Sequence, residues 1–295
     1  MAQCRVARVS LPIGCHALSL VLCWLATGVA AQPIVFNIAP SLTDARIRTE
    51  DHPHYVAYDR GFAPAPILLW LAGTGGHPHA SAFEEAALAL GYRVLALSYV
   101  DEPAVAQVCR DASLASDPDC AAKFRRKRIF GDDVSALIDD APQDAILNRF
   151  TMLLRYLALN DQAGDWQQYL QDDQPRWDRV ALAGQSQGGG MAAFLAKRQA
   201  VAKVIVFSGG WDYSGPGKIA AWYREPSRTP PERWYGTYHA REPNAATIAQ
   251  TYEAMGIPRS HQLRLTQEVR AGKKAHGEGA SNPQYRDLWL DILRP

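Results

Sequence analysis

The sequence predicts an α/β fold with a mostly parallel central sheet flanked by helices on both faces. Two observations carry that expectation. The runs Pro66 to Ala72, Tyr92 to Tyr99 and Lys203 to Phe207 are almost continuously apolar, the pattern of strands covered on both faces rather than one. Between and after them lie helix-forming segments, Ser81 to Leu90 and Met191 to Ala196. Strand, helix and strand in succession imply parallel pairing through right-handed crossovers.

Taken in order, the first thirty-one residues read as an address. Arg5 and Arg8 precede the apolar run Ala17 to Ala26, and Val29-Ala30-Ala31 offers small residues before Gln32. That is the form of a secretory signal peptide cleaved after Ala31, with an apolar core shorter than the ~20 residues of a spanning helix. Cleavage leaves residues 32–295 as a single domain with an insertion at about 101–176, exported to the periplasm or beyond. No further stretch is long and apolar enough to be a membrane span. Losing Arg5 and Arg8 takes the formal charge from +1 to −1, which gives no electrostatic case for nucleic acid.

Ile34 to Phe36 and Tyr55 to Tyr58 form an antiparallel lead-in. The strand from Pro66 ends in Gly73-Thr74-Gly75-Gly76, and the helix from Ser81 stops at Gly91. Within the insertion, Arg125-Arg126-Lys127-Arg128 beside Asp132-Asp133 reads as a solvated helix face. Cys109 and Cys120 are the two cysteines left after cleavage, and in an exported chain they are expected to form a disulfide. Ile146, Leu147, Phe150, Leu153, Leu154 and Leu157 share one helical face behind Pro142, and Trp166 and Tyr169 mark a second short helix. Further strands are read at Arg179 to Ala183, Trp234 to Tyr238 and Gln262 to Val269, with helices near Ala245 to Met255 and Gln284 to Leu293. Residues Ser214 to Arg233 read as a loop with one helical turn near Ile219 to Tyr223. His52, His54, His77 and His79 lack a third ligand at a metal-site spacing, so no metal is expected.

Chemistry is concentrated at Gly184-Gln185-Ser186-Gln187-Gly188, a G-x-S-x-G run between a strand and a helix. Such a turn pushes the serine hydroxyl outward, and small residues two positions on either side let strand and helix approach. The first helical N–H groups lack intrahelical partners and carry partial positive charge, which suits an oxyanion beside Ser186.

These residues resemble the α/β-hydrolase superfamily over the whole mature chain. The resemblance implies a serine hydrolase with Ser186 as nucleophile and His276 as the triad histidine, in the loop after the last strand; His239 and His261 come too early in the chain order. It also implies an oxyanion hole from the Gln187 N–H and the Gly73 to Gly76 loop, through Thr74. For the triad acid two carboxylates remain open: Glu242, favoured by the usual arrangement after the later strand, and Asp212, one strand earlier. No cofactor is required. The expected activity is hydrolysis of a carboxylic ester, small or polymeric, through an acyl-enzyme. An amidase or peptidase and a catalytically silent binding protein on the same fold are the alternatives. Trp211, Trp222 and Trp234 fall near the expected cleft, as pocket lining or as packing.

Overall fold

In a computed structural model of the protein, which describes residues 33–62 and 66–294, the strands that the apolar runs foretold pair into one eight-stranded sheet. They are β1 (Ile34–Ile38), β2 (His54–Tyr58), β3 (Ile67–Leu71), β4 (Arg93–Leu97), β5 (Val180–Gln185), β6 (Lys203–Phe207), β7 (Trp234–His239) and β8 (Gln262–Leu265). Across the sheet the order is β1-β2-β4-β3-β5-β6-β7-β8. β2 runs antiparallel to both its neighbours, and every pairing from β4 to β8 is parallel. This is the α/β-hydrolase fold. The signal-peptide expectation lies outside the described residues.

Both faces of the sheet are covered, which explains why its strands are apolar without alternation. Leu69, Leu71, Leu95, Leu182 and Val206 face one core layer, closed by helices α3 (Ile146–Asn160) and α4 (Gln187–Arg198). Their chain neighbours Leu68, Trp70, Val94, Ala183 and Phe207 face the other. That layer is closed by α1 (Ala82–Ala89) and, at the chain's end, α7 (Arg286–Leu293). Phe83 of α1 sets its ring against Trp70, Phe207 and Trp289, a contact set whose loss in Phe83→Ala would cost about 3 to 5 kcal/mol. At the end of α1, Gly91 adopts φ +85°, the left-handed conformation in which glycine stops a helix.

Helix α2 (Cys120–Phe130) corrects the reading of the basic run. Only Arg126 is exposed, pairing with Asp132; Lys127, its side chain 11% exposed, reaches Asp133. Arg125 and Arg128 are buried, bound to Asp212 and Asp140 at 2.7 Å each. Four consecutive cations cannot share one helical face, because successive residues are turned by about 100°. Arg128 also donates to the carbonyls of Pro103 and Glu102, which fixes the start of the insertion. Cys109 and Cys120 are joined in a disulfide, tying the end of the short helix Val105–Val108 to the start of α2.

Two other expectations are revised. Residues 214–233 are not a plain loop: Tyr213–Gly215 and Lys218–Ile219 pair as a small hairpin, turned through Gly217 at φ +66°. The last strand ends at Leu265 instead of Val269, because β7 offers partners only from Gly236 to His239. Beyond Leu265 the chain leads into α6 (Ala275–Ser281), which packs on β7.

Two stability predictions follow from these features. The disulfide closes a short loop, so its reduction should cost about 2 to 3 kcal/mol by the chain-entropy relation, read as a lower melting temperature. Glu84 is fully buried in α1 and accepts the Ser81 N–H at 2.7 Å. Burial pushes its carboxyl from 4.5 up to about 7, against the opposing hydrogen bond from Ser81. The folded chain therefore holds a proton that the unfolded chain releases above pH 4.5, so this group's contribution to stability is full below 4.5 and is lost as pH rises through 7. Glu84→Gln should remove that slope and stabilise the protein at pH 8 by on the order of 3 kcal/mol. Denaturant titrations of both proteins from pH 4 to 8 test the sign.

Candidate active site

The candidate residues gather at the carboxyl-terminal ends of the parallel strands, where sites in open α/β sheets form. Ser186 follows β5 directly, with φ +57° and ψ −120°. Few non-glycine residues adopt this backbone, and its cost of about 1 to 3 kcal/mol persists only where the surroundings enforce it. Two close approaches enforce it here. A side chain on Gly184 would meet the Gly188 carbonyl group at 2.5 Å, and one on Gly188 would overlap the carbonyls of Leu71 and Ala72. With both positions bare, β5 can turn into α4 within a single residue. The Ser186 N–H is held by the Phe207 carbonyl at 2.9 Å.

His276 lies in the first turn of α6 rather than in an open loop. Its Nδ1 is 2.6 Å from Glu242 Oε2. Glu242 follows β7, and its other oxygen accepts from Ser208 Oγ and from the His239 N–H, each at 2.7 Å. Burial by itself would raise the Glu242 carboxyl; the bonds from His276, His239 and Ser208 outweigh it and hold the group below its usual value. An ionised carboxylate only accepts, so the proton in this bond belongs to Nδ1 and Nε2 is the ring's basic nitrogen. Gln185 donates to the His276 carbonyl at 3.1 Å, and Trp211 meets the imidazole edge to face at 5.2 Å. Among the described residues no hydrogen bond joins the Ser186 hydroxyl to the imidazole.

Asp212, the other carboxylate, is engaged by groups other than the histidine. It takes two bonds from Arg125, Nε to Oδ2 at 2.7 Å and Nη2 to Oδ1 at 2.8 Å, and a third from Trp222 Nε1 at 2.9 Å. Trp222 and Trp234 are core residues, whereas Trp211 is half-buried at the site.

Thr74, Ser186 and Gln187 line one cavity of about 70 Å³, together with Trp211. The Thr74 loop is braced from two sides. Asp101 accepts the Gly76 N–H at 3.0 Å, and the Tyr99 hydroxyl donates to the Ala72 carbonyl at 2.6 Å. The Gln187 N–H opens α4 and has no intrahelical acceptor. Its side chain ties the turn to the insertion, donating to the Asp101 carbonyl at 2.7 Å and accepting the Val105 N–H at 2.8 Å.

Sequence reasoning missed the supports. Ser208, at φ +46°, is one; a Ser-Gly-Gly at the end of an apolar strand was the available signal. His239 is another: its Nε2 lies 2.9 Å from the Gln267 carbonyl, pinning the segment that leads to His276. The Tyr252 hydroxyl, on α5 (Ala245–Ala254), sits 3.0 Å from the carbonyls of both Val206 and Thr237, joining β6 and β7 where they carry the site. No pattern in the chain marks that role. Among the described residues no group of three or more His, Cys, Asp or Glu is placed to hold a metal ion.

No protein-family model matches the sequence, and no curated protein matches it either. Solved structures with a similar chain path include a protein described as a dienelactone hydrolase from Klebsiella pneumoniae, 12% identical, with 88% of this chain and 96% of that chain covered at a TM-score of 0.49. An esterase from Pyrobaculum calidifontis is 13% identical over 89% of this chain and 84% of its own, at 0.44. An acylaminoacyl peptidase from Pyrococcus horikoshii is 12% identical over 89% of this chain and 40% of its own, at 0.49. Likeness at this level is no guide to activity or substrate.

Proposed function

We propose that the chain is an exported serine hydrolase that cleaves a carboxylic ester. The observation that carries this is the 2.6 Å bond between His276 Nδ1 and a buried carboxylate of Glu242, set beside a serine in strained backbone at the start of a helix. Ser186 Oγ attacks the acyl carbonyl while His276 Nε2 takes its proton, and the same proton passes to the departing alkoxide. Water then repeats the sequence on the acyl-enzyme. Glu242 holds the imidazole in the required tautomer and stabilises the imidazolium. The Thr74 and Gln187 N–H groups receive the oxyanion, a donor of this kind being worth about 100-fold to 1,000-fold in rate. These steps need no cofactor. An ester suits these parts because an alkoxide demands less of the general acid than the amine of an amide. The disulfide supports passage through an oxidising compartment.

Ser186→Ala should abolish turnover of p-nitrophenyl acetate and labelling by a fluorophosphonate probe, with the circular dichroism spectrum unchanged. More than a few per cent of residual activity in folded protein rules Ser186 out as nucleophile.

The two carboxylates should separate by the kind of damage their neutralisation does. Glu242→Gln is expected to lower kcat by up to about 10,000-fold in a protein that still folds. Asp212→Asn strands a buried guanidinium, so its expected cost is about 3 to 5 kcal/mol of stability. A thermally normal but inactive Asp212→Asn, beside a fully active Glu242→Gln, reverses the assignment.

A further inference from the structure

A second, larger cavity of about 690 Å³ adjoins the one at Ser186, and the two share Val105, Ala106, Trp211 and Asp212 in their linings. One wall is the disulfide-closed part of the insertion, with Leu114 and Pro118 on it. The other is the hairpin that follows β6, with Tyr213 and Pro216. We propose that this cavity takes the larger, uncharged apolar group of the ester, so that the enzyme favours esters carrying a chain or ring of about six carbons or more over acetyl and ethyl esters. The inference rests on the Ser186 reading.

Size and charge both point to such a group. The volume is in the range of small-molecule sites, roughly 300 to 1,000 Å³, and several times the ~150 Å³ that accommodates benzene. An acetyl group would leave it filled with water. Its charged lining residues are already answered. Asp212 is bound by Arg125 and Trp222. Arg110 and Asp111 have side chains 69% and 85% exposed and stand 3.7 Å from each other. That leaves no buried unpaired charge to recognise a carboxylate or phosphate on the substrate, and burying either without a partner is costly.

The walls are also held in place. The Cys109–Cys120 bond closes the excursion that contains Leu114. Gln187 accepts the Val105 N–H, linking the wall to the turn at Ser186. Arg125 on α2 reaches across to Asp212, joining the insertion to the segment that carries Trp211. A preformed apolar cavity binds without the cost of ordering its own lining.

The test compares kcat/KM for two pairs: p-nitrophenyl hexanoate against acetate, which varies the acyl side, and hexyl acetate against ethyl acetate, which varies the alcohol side. Methylene groups in such a pocket discriminate by about 10-fold or more, so one of the two ratios should reach at least that value. Ala106→Trp fills the shared wall from an exposed position. Gly215→Phe fills the opposite side, where an added Cβ meets nothing within 4 Å. Each should bring the larger ratio towards unity in protein of unchanged melting temperature. The pair that responds identifies which side of the ester enters. Hydrolysis with neither preference, or a preference that both variants leave intact, overturns the proposal while the Ser186 reading stands. Where no ester is cleaved and no fluorophosphonate labels Ser186, that reading fails separately. Titration with the uncleavable ketone 2-octanone then decides the cavity: saturable binding weakened about 10-fold by Ala106→Trp supports it, and absent or unaffected binding overturns it.

Discussion

One strained residue organises the molecule. Ser186 can hold φ +57° and ψ −120° only because Gly184 and Gly188 remove the side chains that would collide with backbone on either side. The resulting turn sets the half-buried serine at the amino end of α4. Strain of a few kcal/mol cannot persist unless neighbours over-determine it. Here the neighbours are β3 and β6, hydrogen-bonded to β5 on its two sides, with apolar helices closing both faces.

Around that turn, the site is built by contacts that cross long stretches of chain. Glu242 and His276 are 34 residues apart; the first follows β7 and the second stands in α6 beyond β8. What makes their bond durable is the set of donors on the carboxylate's other oxygen. Ser208 and the His239 N–H saturate it, so the buried charge is paid for locally and the carboxylate keeps one oxygen for the imidazole. Tyr252 bridges the strands beneath. A single missing donor here would raise the carboxyl and loosen the ring.

The insertion after β4 serves the site as much as it decorates the sheet. Its anchors are Arg128 to Asp140, Arg125 to Asp212, Gln187 to Val105, and the disulfide. All of these involve groups buried from water. The two ion pairs add little net stability, because desolvation offsets their attraction, but breaking one is costly. They act to fix where the insertion sits, and with it the shape of the larger cavity beside Ser186.

The chain's local patterns determined the strands, the crossovers and the serine turn, because apolar runs, helix formers and glycine spacing report backbone preferences that each segment carries alone. The doubly buried strands were legible for the same reason: an unbroken run such as Ile67 to Leu71 has no solvent face to offer. Which carboxylate meets His276 was legible only as a preference for Glu242 drawn from the family's usual arrangement, since Asp212 and Glu242 both follow strands in the parallel part of the sheet. The choice was made by Arg125, a residue that reads from sequence as part of a solvated basic face. Only folding brings it across to Asp212, and that ion pair commits one carboxylate while the Ser208 and His239 donors prepare the other. Long-range pairing of charges depends on where helices and strand ends come to rest, and no window of sequence contains that information.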